Sequence, residues 1–287
     1  MNLNTEIAVV IPCFNEVQSI DTVINRIRKA VPDLEIFIVD DGSTDGTAMK
    51  AAELGIVVFS HPYNKGNGAA VKTAIRSLTH KKLIIIDADE QHPPEMIPQL
   101  LTYADKYDLA VGARMSGKAE RYRKFGNYFF SWLAGYLAGF DIPDLTSGFR
   151  LIDREKAEEF LHLYPNGFSF PTTSTLAFIS AGYSVAFMPI TVSLRTQGTV
   201  SKIRPLHDGM RFLYMIFRIA SMINCMKIFL PSSFFLMLAG TAWTVRTLLH
   251  TSAVSAAGAF LIGSGVNILF FGIVVDQLSA LRMKPKK

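Results

Sequence analysis

Residues Leu83-Ile84-Ile85-Ile86-Asp87-Ala88-Asp89-Glu90-Gln91-His92-Pro93-Pro94 run from a mostly β-branched apolar segment into two carboxylates and a proline pair. A short run of this kind reads as a buried strand, and Pro93-Pro94 forbids its continuation. Asp87 and Asp89 therefore fall at a strand's carboxyl end, where open α/β sheets bind ligands. At spacing i, i+2 across Ala88, both carboxylates reach one hard cation, and the Gln91 amide oxygen can add a third donor. A solvated acidic strand end is the other reading that this stretch alone leaves open.

On both sides of this stretch, strand and helix patterns alternate from Glu6 to Ala113. Strands are expected at Ile7–Ile11, Glu35–Val39, Ile56–Phe59, Leu83–Ile86 and Leu109–Val111. Helices are expected at Glu16–Ala30, Asp45–Leu54, Asn67–Leu78 and Glu95–Tyr103. Such alternation predicts an α/β fold with a parallel sheet covered on both faces. The turn after the first strand, Pro12-Cys13-Phe14-Asn15-Glu16, has no GxGxxG, which argues against a dinucleotide fingerprint. Farther on, Arg121–Phe140, Asp153–Leu163 and Thr172–Ala181 read as helices and Ser184–Val192 as an extended strand.

The net charge of +5 conceals an asymmetry. Residues 1–202 carry 20 Lys/Arg against 22 Asp/Glu, a net −2, and residues 203–287 carry 9 against 2, a net +7. In the second part the basic residues interrupt hydrophobic runs instead of covering a polar face. That pattern fits anionic lipid headgroups, not nucleic acid. Pro205–Lys227 spaces Leu206, Met210, Leu213, Ile216, Phe217 and Ala220 like the apolar face of an interfacial amphipathic helix. Ile228–Leu249 carries one charge, Arg246, and Val254–Val275 none. At about 1.5 Å per residue each covers roughly 33 Å, enough for a bilayer core.

The connector at His250–Ala253 is a hairpin turn, so the chain returns to its starting side. Arg282, Lys284, Lys286 and Lys287 then join Lys202, Arg204 and Arg211 on the cytoplasmic side of an inner or endoplasmic-reticulum membrane, with both termini. Met1–Glu6 has no signal-peptide character. Cys13 and Cys225 are the only cysteines, and they imply neither a disulfide framework nor a zinc site. Ala259 and Gly263 form a small-xxx-small pair that packs either the two spans or a neighbouring chain in a homo-oligomer.

Two further motifs are weak when taken singly. Asp40-Asp41-Gly42-Ser43-Thr44-Asp45-Gly46-Thr47 reads as a turn and helix cap, or as carboxylates that grip a nucleoside. Tyr63-Asn64-Lys65-Gly66-Asn67-Gly68 leads a Gly-rich turn into a helix whose N-terminus suits an anion, without being a Walker A loop.

In order, PCFNE (12–16), DDGSTDGT (40–47), NKGNGAA (64–70), DADEQHPP (87–94) and GAR (112–114) closely resemble glycosyltransferase family 2 over residues 5–202. SGFR (147–150), RTQGTVSK (195–202) and the two spans narrow the likeness to polyprenyl-phosphate glycosyltransferases. The resemblance implies a GT-A, Rossmann-like fold and inverting transfer from a UDP- or GDP-sugar to undecaprenyl or dolichyl phosphate, assisted by Mg2+ or Mn2+. It implies that Pro12, Phe14, Glu16, Asp40 and Asp41 line the nucleoside pocket, and Lys65, Gly66 and Gly68 of the Gly-rich turn are further candidates for binding the donor. Asp87, Asp89 and Gln91 would surround the metal, Asp89 as the DXD ligand. Arg114, Arg121 or Arg123, Arg195 and Lys202 would gather the donor and acceptor phosphates. One residue more than in the family's RxxGxSK separates Gly198 from Ser201, so Lys202 follows less directly than Arg195.

Gly167–Ser174 contains no carboxylate where hydroxyl-acceptor members keep an acidic base, which favours a phosphate acceptor. Neither Trp132 nor Trp243 belongs to a QxxRW motif, which argues against a processive synthase. The rival readings are transfer to a sugar hydroxyl and a silent nucleotide-binding membrane adaptor. The expected organisation is a catalytic domain at 1–202, amphipathic juxtamembrane helices at 203–227, and a hairpin with a basic tail at 228–287.

Overall fold

The computed structural model describes residues 6–90, 92–114, 132–167, 169–191, 224–251 and 255–282. They divide into two compact units, with the sheet in the first and the two long C-terminal helices in the second.

The first unit runs β1 (Ile7–Cys13), α1 (Ile20–Ala30), β2 (Glu35–Asp40), α2 (Thr47–Glu53), β3 (Val57–Ser60), α3 (Asn67–Ser77) and β4 (Lys82–Ile85). A 3₁₀ turn (Pro94–Met96) then leads into α4 (Ile97–Leu101), followed by β5 (Leu109–Arg114), β6 (Arg150–Asp153), α5 (Arg154–Glu159), α6 (Phe170–Ser180) and β7 (Val185–Ile190). The seven strands lie in the order β3-β2-β1-β4-β6-β5-β7. All seven residues of β1 are buried, as a central strand of a covered sheet requires. In α1 the residues Ile20, Val23, Ile24 and Ile27 form one buried stripe at helical spacing.

The sheet is mostly parallel, with β6 running antiparallel to both β4 and β5. In β6, RLID has only two apolar residues between charged ends and runs straight into a helix, so it left no strand pattern to find. Two expected helices need correction. The helix expected from Glu16 begins at Ile20, since the amides of Asn15, Glu16 and Val17 are bonded to Ser43, Thr47 and Asp45 instead of entering a helix. The stretch from Glu95 to Tyr103 shrinks to the 3₁₀ turn and five residues of α4.

β1 and β4 are parallel neighbours from which the chain departs in opposite directions, towards β2 and β3 on one side and β6, β5 and β7 on the other. This is a topological switch point, and the crevice beyond its carboxyl ends is where such sheets bind ligands. Asp40, Asp87 and Arg114 all end or follow strands on that edge.

In the second unit α7 (Met226–Thr251) pairs with α8 (Ala256–Arg282), and both are long and apolar enough to cross a membrane. Their approach is close. Ser233 Oγ donates to the Gly265 carbonyl at 2.8 Å, and a Cβ on Gly258 would stand 2.9 Å from the Gly240 carbonyl. Small residues and a side-chain hydroxyl supply this close packing. Phe234, Phe235, Phe270 and Phe271 are exposed on the outside. Gly263 has open space around it, so the Ala259/Gly263 pair does not pack the hairpin. Most of the Pro205–Lys227 segment and residues 121–131 lie outside the described residues.

Candidate active site at the carboxyl edge of the sheet

The loops after β1 and β2 are knitted to each other. The Asn15 amide donates to Ser43 Oγ (2.8 Å), that of Glu16 to Thr47 Oγ1 (2.9 Å) and that of Val17 to Asp45 Oδ2 (3.1 Å), while Thr44 returns a bond to Asn15 Oδ1 (2.9 Å). The Ser, Thr and Asp of DDGSTDGT are thus cross-links between loops. The N-cap of α2 is Gly46, with no side-chain cap. Pro12 is buried in β1, Phe14 is exposed, and Glu16 accepts from Ser19 Oγ. The Cys13 thiol is buried, and burial with the surrounding carboxylates pushes its pKa far up, so it is inert.

Asp40 and Asp41 are both buried, with different partners. Asp40 accepts from the Ser43 amide at 3.2 Å. Asp41 accepts from the amides of Lys65 (2.9 Å) and Gly66 (2.7 Å) and contacts His61 Nδ1 at 2.7 Å, and His61 Nε2 contacts Thr73 Oγ1 at 2.8 Å. Its carboxylate pins the Gly-rich loop to the end of β2.

That loop is also sterically committed. Gly66 has φ +105, and a Cβ there would come within 2.5 Å of the Asn166 carbonyl. A Cβ on Gly68 would overlap the Pro165 carbonyl. The first amides of α3 are capped by protein carbonyls, Gly68 by Gly167 (3.3 Å) and Ala69 by Asn166 (2.8 Å). Two of the first-turn donors of α3 are thus used by the 166–167 carbonyls. Lys65 projects outward, its ammonium 5.6 Å from the Tyr63 ring.

Across the switch point the arrangement is different. Asp87 follows β4, with His92 Nδ1 3.5 Å from its Oδ2 and the Asn67 side chain in hydrogen-bond reach. Burial, then the nearby negative charge of Asp89, push the Asp87 carboxyl above its usual range, against the pull of His92, Asn67 and Arg150. His92 is buried and stacks on Phe149 with ring centroids 6.0 Å apart, and neither ring nitrogen has a hydrogen-bond partner. Glu90 adopts φ +58, a left-handed conformation uncommon for a non-glycine residue and frequent where strain serves a site.

Arg114 ends β5 within the field of Asp87 and Asp89. Its guanidinium is held by Asp144, Nε to Oδ2 at 2.7 Å and Nη2 to Oδ1 at 3.0 Å, and by Thr146 Oγ1 at 2.5 Å. This bidentate contact raises the Arg114 pKa. Burial raises that of Asp144, but the Arg114 fork outweighs it and holds the carboxyl below its ordinary value. Asp144 was not singled out by the sequence. An Asp three residues before Ser147 carries no local signal, and only the strand geometry brings it to Arg114. Gln91, Arg121, Arg123, Arg195 and Lys202 lie outside the described residues.

Two crowded carboxylates, one raised in pKa, beside a buried imidazole without hydrogen-bond partners form an acidic, oxygen-rich donor set that a divalent cation would relieve. Among the described residues no group of three or more His, Cys, Asp or Glu side chains encloses a metal. Mg2+-type sites are commonly built from one or two carboxylates with substrate phosphates and water completing the shell, so the residues present fit such an ion.

The sequence profile of "Glycosyl transferase family 2" matches residues 8–161, and that of the "GtrB C-terminal hairpin" matches 224–281. The polyprenol monophosphomannose synthase of Mycolicibacterium smegmatis is 33% identical over 211 residues, covering 68% of this chain and 79% of that one. The undecaprenyl-phosphate mannosyltransferase of Micrococcus luteus is 30% identical over 204 residues, 66% and 84% respectively. The glucosyl-3-phosphoglycerate synthase from Mycobacterium tuberculosis, solved with Mn2+, uridine diphosphate and phosphoglyceric acid, superposes with a TM-score of 0.59 at 22% identity, covering 76% of this chain and 78% of that one. At that identity the likeness shows the fold, a GT-A-like mixed α/β sheet.

Proposed function

Because the chain belongs to glycosyl transferase family 2, we propose that it transfers one sugar from a UDP- or GDP-sugar to a polyprenyl phosphate, with inversion, at the cytoplasmic face of a membrane. The observation that carries this reading is the joining of the acidic switch-point edge to an apolar two-helix hairpin in one chain. The names of the two relatives support a polyprenyl phosphate acceptor. The proposed organisation is a catalytic domain at 1–202, a juxtamembrane segment at 203–227 and a hairpin at 228–287, with both termini cytoplasmic.

Asp87 and Asp89 would hold a divalent cation with Gln91. When bound, that cation neutralises the charge developing on the leaving diphosphate. Arg114, fixed in direction by Asp144, supplies positive charge next to the carboxylates. The nucleoside would lie along the loops after β1 and β2, against Pro12, Phe14, Glu16, Asp40 and Asp41. Arg121, Arg123, Arg195 and Lys202 are the proposed phosphate contacts outside the described residues. In the reaction a lipid-phosphate oxygen forms the new bond to the anomeric carbon, and the nucleoside diphosphate departs with the electron pair of the broken C–O bond. The nucleophile is already anionic, so no proton has to be removed, in keeping with the absence of a carboxylate in Gly167–Ser174.

The test is a panel of UDP-glucose, UDP-N-acetylhexosamine and GDP-mannose against undecaprenyl and dolichyl phosphate, with the full chain in membranes. One donor should yield a lipid-extractable, acid-labile sugar phosphodiester. Glycosylation of a sugar hydroxyl, with no lipid product from any donor, would overturn the reading.

A further inference from the structure

Among the described residues Arg150 is the largest fully buried side chain, and it meets no carboxylate of theirs within ion-pair distance. It opens β6 between β4 and β5, paired in register with Ile85, two residues before Asp87. Its guanidinium instead gathers neutral groups from two separate segments. Nη1 donates to the Pro171 carbonyl (3.1 Å) and to Ser174 Oγ (2.6 Å) on α6, and Nη2 donates to the Ser147 carbonyl. The face of Phe170 lies 5.7 Å away. Nε has no partner, and Ser147 Oγ and Thr173 Oγ1 nearby in sequence to those contacts are also buried without one.

A buried, unpaired cation is costly, and apolar packing would fill the same volume more cheaply. What it accomplishes here is local. The peptide it grips continues into Gly148, which lies flat against Asp87: a Cβ at Gly148 would overlap Oδ2 and stand 3.0 Å from Oδ1. The next residue, Phe149, stacks on His92, the other neighbour of that carboxylate. Asp87 is thus walled by a segment that Arg150 ties to the first turn of α6.

We propose that Arg150 is a positioning residue, which rivets Ser147-Gly148 to α6 and thereby sets the direction in which Asp87 presents its oxygens to a divalent cation. This rests on the reading of Asp87 as a metal ligand given above. A lysine in its place keeps the charge but reaches only one of the two segments at a time, because the planar fork is lost. The Gly148 wall then loosens without the interior charge changing. Ser174→Ala removes one of the fork's acceptors and leaves the guanidinium in place.

The experiment is Mn2+ binding to the purified full chain, read by paramagnetic resonance of free Mn2+, alongside a thermal melt of each variant. Arg150→Lys should weaken Mn2+ binding by about 10-fold, in the range of outer-shell ligand changes, and Ser174→Ala by about 3-fold. In both, saturating Mn2+ should restore most of kcat with the donor KM unchanged. Wild-type Mn2+ affinity in both variants would overturn the inference while leaving the metal reading intact. Failure of the wild-type chain to bind Mn2+ would overturn both. Should Arg150→Lys not fold, Ser174→Ala decides alone.

Discussion

The two halves of the sheet's carboxyl edge differ in how completely their polar groups are satisfied. On the β1–β2 side, Asp41, Asp45, Asn15, Ser43 and Thr47 are bonded to one another's loops. On the β4–β6 side, Asp87 is raised in pKa, His92 has two buried ring nitrogens without hydrogen-bond partners, and Arg150 is a buried cation without an ion-pair partner. The first half is a finished scaffold that can fix the place of a nucleotide. The second stores unfavourable electrostatics that a ligand of positive charge and its phosphates would relieve. Satisfied and unsatisfied polar groups are therefore divided along the switch point between β1 and β4.

The largest effect should come from Asp89→Ala, with sugar transfer falling by about 10³-fold, as for loss of a main electrostatic contact to the transition state. A melt should show the fold unharmed. A variant that keeps full activity would break the comparison at its functional end.

Matched substitutions on the two halves should next move stability in opposite directions. Asp41→Asn breaks the bonds that pin the Gly-rich loop, at about 2–3 kcal/mol or roughly 5–10 °C in Tm. Asp87→Asn relieves repulsion and should raise Tm by a few degrees in the presence of chelator while abolishing most activity. Equal signs in the two melts would show that the halves do not differ as described.

Asp144→Asn should lower kcat/KM by about 10- to 100-fold, because Arg114 keeps its charge but loses its fixed direction. The smallest effect is on the acid limb of stability. The folded-state pKa of Asp144 lies below its unfolded value of about 3.9, so its contribution is full above that pH and is lost as pH falls through the folded value. Asp144→Asn should make the Tm less sensitive to pH below about 4, read by melts at successive pH values.

Much of the fold was legible in the sequence because strands such as IAVVIPC, and the LIII run that contains most of β4, are apolar runs bounded by turn residues. β6 was not, since RLID has only two apolar residues between charged ends and its partners are distant in sequence. Among the proposed site residues, Asp87 and Asp89 stand out by their spacing after a strand. Asp41, Gly66 and Gly68 shared motifs with the candidate site, but their hydrogen bonds and close contacts are directed into the protein, which no local pattern distinguishes. Asp144 and Arg150 acquire their meaning only when β6 brings the 144–150 segment against β4 and β5.

The most direct test of the central claim compares wild type and Asp89→Ala for transfer of radiolabelled sugar to polyprenyl phosphate, each with Mg2+ or Mn2+ and with chelator. The account predicts lipid-linked product only from wild type with metal present. Equal product from Asp89→Ala, or undiminished product in chelator, would contradict it.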